Sequence, residues 1–210
     1  RSKKWDRILS PSDGSLVGEV PAMSREEADE FLKSAAAAQK TWVGVPVHER
    51  AALLHKAADI LEREKDMIAE VLMREISKNR KSCVSEVVRT ADLIRFTAEE
   101  GKRVTGESIS SGAFPGFHET KLSIVNRVPL GVVLAIAPFN YPINLAASKI
   151  TPALVAGNSV VFKPPTQGSV SALYLARVFC EAGIPAGVLN VITGQGRVIG
   201  DYLGGHPLVN

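Results

Sequence analysis

The C-terminal third of the sequence alternates apolar runs with helical patterns, and this alternation limits the folds that the chain can adopt. Short apolar runs begin near Val132, Ser159 and Val188, and a segment with helical periodicity follows each of them. Strands that alternate with helices in this way form a parallel sheet with right-handed crossovers. The sequence therefore predicts an α/β fold, and ligands of such open sheets bind beyond the carboxyl ends of the strands.

The first hundred residues show helical periodicity instead. Ser24, followed three residues later by Glu27, has the form of a capping box, so a helix is expected to begin there. A second helix is predicted over about 47–76 and a third over about 81–102, each with an apolar stripe and a charged opposite face. Such stripes predict a packed helical layer whose charged side contacts solvent.

These patterns divide the chain into three predicted parts. Residues 1–106 form the helical layer. In residues 107–130, a stretch rich in Ser, Gly and Pro (107–117) predicts a loop, and the alternating stretch that begins at Lys121 predicts a strand. Residues 131–210 form a βαβαβα unit with a parallel sheet. Because the chain starts at Arg and stops where an apolar run begins, it is expected to be a piece of a longer protein.

Composition argues against several classes of protein. The formal net charge of +3 is spread over 210 residues, so the sequence predicts neither a nucleic-acid partner nor a membrane surface. The most apolar segment, residues 128–148, is broken by prolines before a membrane span is reached. Cys83 and Cys180 lie far apart without CxxC spacing, which argues against a disulfide framework and a zinc site and predicts a reducing, cytoplasmic location with no bound metal.

No nucleophile with its base can be assembled from these residues. The histidines are scattered over predicted helices and loops, at His48, His55, His118 and His206. Cys180 shares a predicted helix face with Ala172 and Ala176, so we expect it to be buried and inert. Cys83 lies early in a predicted helix and is not expected to be a nucleophile either.

Polar residues and glycines follow the three predicted strands, as PFNYP (138–142), KPPT (163–166) and TGQG (193–196). The glycines are the weakest signal, because Gly196 is followed by Gly200 and the spacing is GxGxxxG, not the dinucleotide fingerprint GxGxxG. A tight turn that lets a helix start close to the sheet explains them as well.

Lys163 and Asn140 carry more information. An ammonium at the mouth of a parallel sheet, on a chain stiffened by Pro164 and Pro165, suits an anion or hydroxyl groups. The alternative is a lysine that extends to solvent. The amide of Asn140 can donate to an oxygen that gains negative charge during a reaction. The alternative is an Asn that caps the following helix or holds the turn.

Taken together, PLGVVLAIAPFNYPINLAASKITPALVAGNSVVFKPPTQ and EAGIPAGVLNVITG resemble the aldehyde dehydrogenase superfamily, and the resemblance covers essentially the whole chain. APFNYP, KPPTQG and SEVVRTADLIRFTAEEG are most similar to the non-phosphorylating, NADP-dependent glyceraldehyde-3-phosphate dehydrogenases. The resemblance implies that residues 1–106 are the N-terminal helical part of the cofactor-binding domain. It also implies that 107–130 contain an oligomerisation-type strand, with dimers paired into tetramers. Residues 131–210 are, by the same resemblance, the first part of a Rossmann-like NAD(P)-binding domain, which is incomplete here.

The resemblance assigns roles at the strand ends. Asn140 matches the oxyanion-hole asparagine, and Lys163 matches the lysine that contacts the adenosine ribose. Thr166 stands where NAD-specific relatives usually carry glutamate. The resemblance therefore implies a preference for NADP, with NAD possible, because a neutral hydroxyl can donate to a 2′-phosphate that a carboxylate would repel. The remaining cofactor-binding positions that it implies are Pro138, Phe139, Pro165, Gly196 and Gly200.

The resemblance also implies a substrate and a reaction. Arg89 and Tyr141 match residues that hold the substrate phosphate. The alternative for Arg89 is a solvated charge on its helix, with Arg95 a competitor on another face. The expected reaction is oxidation of glyceraldehyde 3-phosphate to 3-phosphoglycerate through a cysteine thioester. The nucleophilic cysteine and glutamate base of the family do not occur here, so this segment alone is expected to be inactive. The alternatives are a dehydrogenase of another small aldehyde, such as succinate semialdehyde or lactaldehyde, and a truncated, non-catalytic nucleotide-binding or oligomerising module.

Overall fold

The computed structural model describes residues 4–116 and 120–210. Its α-helices are α1 (Arg25–Trp42), α2 (Val47–Arg63), α3 (Lys65–Ile76), α4 (Arg80–Gly101), α5 (Asn144–Val155), α6 (Ser169–Ala182) and α7 (Gly196–Gly204). Its strands are β1 (Trp5–Leu9), β2 (Leu16–Pro21), β3 (Glu107–Ser110), β4 (Leu122–Val125), β5 (Val132–Ile136), β6 (Ser159–Lys163) and β7 (Leu189–Val191). A short 3-10 helix, Ser111–Ala113, follows β3.

Strands β5, β6 and β7 form a parallel sheet in that order. Ile136 at the end of β5 pairs with Lys163 at the end of β6, and Phe162 pairs with Val191 at the end of β7. Helices α5 and α6 return the chain to the starting edge before each new strand. The predicted α/β class with a Rossmann-like parallel sheet is confirmed, and the carboxyl ends of the three strands lie along one edge.

Helices cover both faces of this sheet. Successive side chains of β6 point to opposite faces: Val161 lies in a buried apolar cluster with α1 and α7, whereas Phe162 lies in a larger cluster with α5 and α6. Helices α2, α3 and α4 pack into the same cluster as Phe162. Helix α1 therefore lies mainly on the other face of the sheet from α2, α3 and α4. Periodicity could show that its stripe is buried but not against which face.

Most predicted helix boundaries are confirmed. Ser24 and Glu27 form a complete capping box, in which the Ser24 amide donates to the Glu27 carboxylate and the Glu27 amide donates to the Ser24 hydroxyl. The single helix predicted over 47–76 was wrong, because the backbone leaves helical geometry at Glu64 (φ −96°, ψ 11°) and two helices result. No proline or glycine marks this point. The Glu64 carboxylate bonds to Arg177 of α6, a tertiary contact that local patterns cannot reveal.

The sequence patterns predicted neither strand of one antiparallel hairpin and only the second strand of the other. Strands β1 and β2 pair with each other, and no periodicity predicted them. The loop predicted over 107–117 was wrong where β3 forms, because β3 pairs with β4 from Glu107 opposite Val125 to Ser110 opposite Leu122. Strand pairing of this kind is non-local, so a polar composition does not exclude it. Phe117 of that predicted loop lies outside the described residues.

No helix in the described part of the chain is both long and apolar enough to cross a membrane. Across residues 4–116 and 120–210, no cluster of His, Cys, Asp and Glu side chains could hold a metal ion. His48 and His55 lie on α2, and His206 follows α7, whereas His118 falls outside the described residues.

Candidate active site

Lys163 is the last residue of β6, and its side chain is buried, with a relative exposure of 7%. Its ammonium donates to the carbonyl oxygen of Pro164 at 3.0 Å and has no further partner among the described residues. Because an ammonium carries three N–H donors, it retains capacity for a ligand. Burial lowers the pKa of Lys163, since desolvation disfavours the charged form. The alternative of a lysine extending to solvent does not agree with this burial.

The third strand end lies beside Lys163. A Cβ atom added to Gly196, the first residue of α7, would lie 4.0 Å from Cε of Lys163. One turn later, a Cβ at Gly200 would meet no atom within 4 Å, so the surface beyond it is open. The structure therefore brings together Lys163 and Gly196, which the sequence predicted as cofactor-binding residues from two different strand ends. Gly200 lies next to them on α7.

The loop after Lys163 packs against the loop after β5. Gly168 adopts φ +122°, and a Cβ there would lie 2.9 Å from Cγ of Pro165 and 3.0 Å from Cβ of Pro142. A side chain at 168 would push the two loops apart, so glycine is required both by its conformation and by the space. Thr166 is exposed at the turn, where its hydroxyl can reach a ligand.

Asn140 lies in the turn between β5 and α5, in an exposed run with Pro138 and Phe139. Within residues 4–116 and 120–210, its side-chain amide makes no hydrogen bond. The alternative role as a helix cap is not observed, because the N-cap of α5 is Ile143, with no side-chain cap. The amide of Asn140 is therefore available to a bound molecule at the edge of the sheet.

Arg89 and Tyr141 line one cleft of about 200 Å³, together with Ser85 of α4. A second cleft of about 480 Å³ extends from Arg89 past Phe96, whose side chain is 64% exposed. Arg89 forms no ion pair with any described residue. The two residues predicted to hold a substrate phosphate thus lie together at the end of the sheet that carries Asn140.

Arg95, the predicted competitor of Arg89, has a different environment. Its guanidinium contacts Asp59 at 2.9 Å and Glu62 at 2.6 Å, both on α2. Hydrogen bonds to Asp59 and Glu62 raise the pKa of Arg95 above its ordinary value. Its charge is already compensated within the helical layer, whereas Arg89 forms no ion pair in the described part of the chain.

The two cysteines differ from each other. Cys83 is fully buried, and burial raises the pKa of its thiol, so a thiolate does not form readily there. Cys180, which we expected to be buried, is exposed: it lies one residue after buried Phe179, and the helix has already turned its side chain towards solvent. Cys180 lies near the C-terminal end of α6, whereas the strand-end loops meet the N-terminal end of that helix.

The sequence matches the family described as "Aldehyde dehydrogenase family" over residues 1–210. The chain belongs to this family. Among curated relatives, the NADP-dependent glyceraldehyde-3-phosphate dehydrogenase of Streptococcus equinus is 56% identical over 209 residues, and that of Pisum sativum is 51% identical over 211 residues. These alignments cover 100% of this chain but 44% and 42% of the relatives, so the chain spans less than half of their length.

Solved structures of the family superpose closely on this aldehyde dehydrogenase chain. The NADP-dependent glyceraldehyde-3-phosphate dehydrogenase of Bacillus halodurans C-125, crystallised with NADP, has a TM-score of 0.97 and 48% identity, covering 99% of this chain and 44% of that one. A glyceraldehyde-3-phosphate dehydrogenase of Methanocaldococcus jannaschii, also with NADP, has a TM-score of 0.91 and 30% identity, covering 99% and 45%. The resemblance inferred from the strand-end motifs is confirmed.

Two buried glutamates near the candidate site were not singled out from the sequence. Glu75 of α3 accepts hydrogen bonds from the amides of Val170 and Ser171 and from the Ser171 hydroxyl, at the start of α6. Glu86 of α4 accepts hydrogen bonds from backbone amides at the start of α5. The sequence held one signal for them, because each acid falls on the apolar stripe of its helix, where an unpaired carboxylate would be costly.

Proposed function

We propose that this chain supplies the adenosine-binding part and the oxyanion donor of an NADP-dependent aldehyde dehydrogenase whose substrate is glyceraldehyde 3-phosphate. The observation that carries the proposal is a buried ammonium with unfilled donors, that of Lys163, one strand away from the Asn140 amide, which has no hydrogen-bond partner in the described part of the chain. The named relatives support the choice of cofactor and substrate, since they are NADP-dependent glyceraldehyde-3-phosphate dehydrogenases.

The residues at the end of β6 have the chemistry that NADP requires. Lys163 offers N–H donors and positive charge to ribose hydroxyls and to the 2′-phosphate, and the neutral hydroxyl of Thr166 can donate to the same phosphate. The absence of side chains at Gly196 and Gly200 leaves room beside the first turn of α7. Pro138, Phe139 and Pro165 would complete the walls. When bound, NADP supplies the acceptor for the hydride that leaves the substrate.

Asn140 acts on the substrate oxygen. In the family mechanism that the resemblance implies, a thiolate outside this segment attacks the aldehyde carbon, and the carbonyl oxygen becomes an oxyanion. The Asn140 amide donates a hydrogen bond to that oxygen and cannot lose its own proton near neutral pH. Removing such a donor lowers the rate by about 10²–10³-fold.

Arg89 and Tyr141 explain a preference for a phosphorylated aldehyde. The guanidinium can bind phosphate oxygens in a bidentate manner, and the tyrosine hydroxyl can add one donor. We expect Arg89→Leu to raise KM for glyceraldehyde 3-phosphate about 10-fold or more and to leave KM for a small uncharged aldehyde nearly unchanged. The matched control is Arg103→Leu, at an exposed arginine after α4. Equal effects on both substrates would contradict the assignment.

We further propose that the protein is a homo-oligomer in the cytoplasm, a dimer or tetramer assembled through the hairpin of β3 and β4. This hairpin exposes large apolar side chains, including Leu122 at 65% and Ile124 at 68%. Such a surface is typical of protein interfaces. The division into residues 1–106, 107–130 and 131–210 is part of the same proposal.

The deciding experiment uses the product of the complete open reading frame, assayed by NADPH absorbance. Glyceraldehyde 3-phosphate should be oxidised with NADP at a kcat/KM above that for succinate semialdehyde, lactaldehyde or benzaldehyde, and NAD should be the poorer cofactor. A higher kcat/KM for another aldehyde would overturn the substrate. Binding of NADP without turnover of any aldehyde would instead identify a non-catalytic module.

A further inference from the structure

Glu86 holds a carboxylate inside the protein next to the candidate oxyanion donor. Its side chain is completely buried. One carboxylate oxygen accepts hydrogen bonds from the amides of Ile143 at 3.2 Å and Asn144 at 3.4 Å. These amides belong to the first turn of α5, whose N–H groups have no partner within the helix. Glu86 therefore fixes the start of the helix that follows the Asn140 turn.

Lys78 completes this arrangement from the segment between α3 and α4. Its ammonium contacts the other carboxylate oxygen of Glu86 at 3.0 Å and donates to the main-chain carbonyl of Asn140 at 2.5 Å. It also lies 3.4 Å from the ring centroid of Tyr141, a cation–π geometry. The Lys78 ammonium thus hydrogen-bonds to the backbone of Asn140 and contacts the ring of Tyr141.

We propose that Lys78 and Glu86 are positioning residues that orient Asn140 for the reaction; this inference rests on the proposed function. The amide of Asn140 has no hydrogen bond of its own among the described residues, so its direction depends on how its backbone is held. Lys78 holds the peptide on one side, and Glu86 holds the following helix on the other. Neither residue contacts the substrate oxygen in this scheme. Each acts through Asn140.

The charges of Lys78 and Glu86 compensate each other inside the protein. The Glu86 carboxylate is neutralised by one ammonium and by the positive end of the α5 dipole, so it is stable without water. Removing Lys78 leaves the carboxylate with its two amide donors but frees the Asn140 carbonyl. The expected result is a folded protein with a loosened turn, because most of the buried core of α5 does not involve Lys78.

The test is a double-mutant cycle in the complete protein, with kcat for glyceraldehyde 3-phosphate as the readout. Lys78→Met should lower kcat about 10- to 100-fold, since a misplacement of about 1 Å in a reacting group has an effect of this size. Lys78→Arg should stay closer to the unmodified enzyme. In an Asn140→Ala background, Lys78→Met should change kcat less than about 3-fold, because the group it orients is gone. Lys56→Met, at an exposed lysine of α2, is the matched control.

Equal fold-losses from Lys78→Met in the two backgrounds would overturn the proposal and leave Lys78 with a purely structural role. If Lys78→Met does not fold, Glu86→Gln is placed in the same cycle with the same expectation, because it removes the charge that holds Lys78 and keeps the size of the side chain. Amide exchange of residues 139–145 gives a readout that does not require activity: Lys78→Met should accelerate it and Lys56→Met should not. Accelerated exchange in a protein that oxidises no aldehyde would contradict the proposed function alone, whereas unchanged exchange would contradict the positioning role.

Discussion

Replacing Glu75 by alanine tests whether the helical layer holds the loop that follows Lys163 and carries Thr166. Glu75 comes from α3, and its carboxylate is completely buried. It accepts hydrogen bonds from the Val170 amide at 2.7 Å, the Ser171 amide at 2.9 Å and the Ser171 hydroxyl at 2.6 Å. Its own main-chain carbonyl accepts a hydrogen bond from Gln167, in the middle of the loop.

The magnitude follows from these contacts. A hydrogen bond to a charged group contributes about 1.5–3 kcal/mol, and three are lost in Glu75→Ala. Without Glu75, the Ser171 hydroxyl can donate its single proton to the Gly168 carbonyl, 3.2 Å away, and water can enter the space left by the side chain. Three such bonds together contribute about 4.5–9 kcal/mol, and because of these two compensations we expect a smaller loss, about 3–5 kcal/mol in the free energy of unfolding. Glu75→Gln retains the shape but turns one acceptor into a donor, so it should cost less, about 2–3 kcal/mol.

Two measurements check this prediction on the complete protein. Urea unfolding followed by circular dichroism gives the loss of stability, and fluorescence titration gives Kd for NADP, which should rise because the start of α6 and the loop before it loosen together. Glu70→Ala, at an exposed glutamate on the same helix, is the control and should cost less than about 1 kcal/mol. A loss below about 1 kcal/mol in Glu75→Ala with unchanged Kd would refute the reasoning.

Three further predictions concern single side chains. Thr166→Glu should weaken NADP binding about 10- to 30-fold and favour NAD, because a carboxylate about 4 Å from a dianionic phosphate in water-like surroundings adds about 2 kcal/mol of repulsion. An unchanged ratio of the Kd values for NADP and NAD would contradict this prediction. Thr97→Glu is the control. Burial lowers the pKa of Lys163, so the unfolded chain binds more protons and stability rises as pH increases towards the ordinary lysine pKa. Lys163→Met should remove that rise, increase stability near pH 7 by about 0.5–2 kcal/mol and weaken NADP binding. If urea unfolding of the variant has the same pH dependence as that of the unmodified protein, this prediction is wrong. Ile124→Asp should dissociate the oligomer in sedimentation, whereas an unchanged mass would exclude the hairpin of β3 and β4 as the interface.

Local sequence patterns predicted the positions of several candidate site residues. The strand–helix alternation placed Asn140, Lys163 and Gly196 at three strand ends, and parallel pairing brings those ends to one edge. It did not find Glu75 or Glu86, although each acid interrupts an apolar stripe. An acid in a stripe indicates only that a partner exists, and the partners here lie 95 and 57 residues away in sequence.

Long-range contacts also explain the errors in the predicted elements. Helix continuity at Glu64 is broken where the side chain bonds to Arg177, and β3 exists because β4 pairs with it. Cys180 was expected to be buried from its spacing to two alanines, yet its neighbour Phe179 takes the buried position. Small residues at helical spacing define a face only approximately, and packing decides which residue at the edge of that face remains exposed.

By itself the sequence determined the α/β class, the order of the C-terminal elements, the family resemblance and the strand ends that carry chemistry, because apolar periodicity and turn residues act over a few residues of chain. Only the tertiary structure decided that α1 lies across the sheet from the other early helices, that the Lys163 ammonium is buried, and that Lys78 and Glu86 hold the Asn140 turn. The physical reason is that desolvation and charge pairing depend on what is near in space. Those neighbours are set by the packing of elements far apart along the chain.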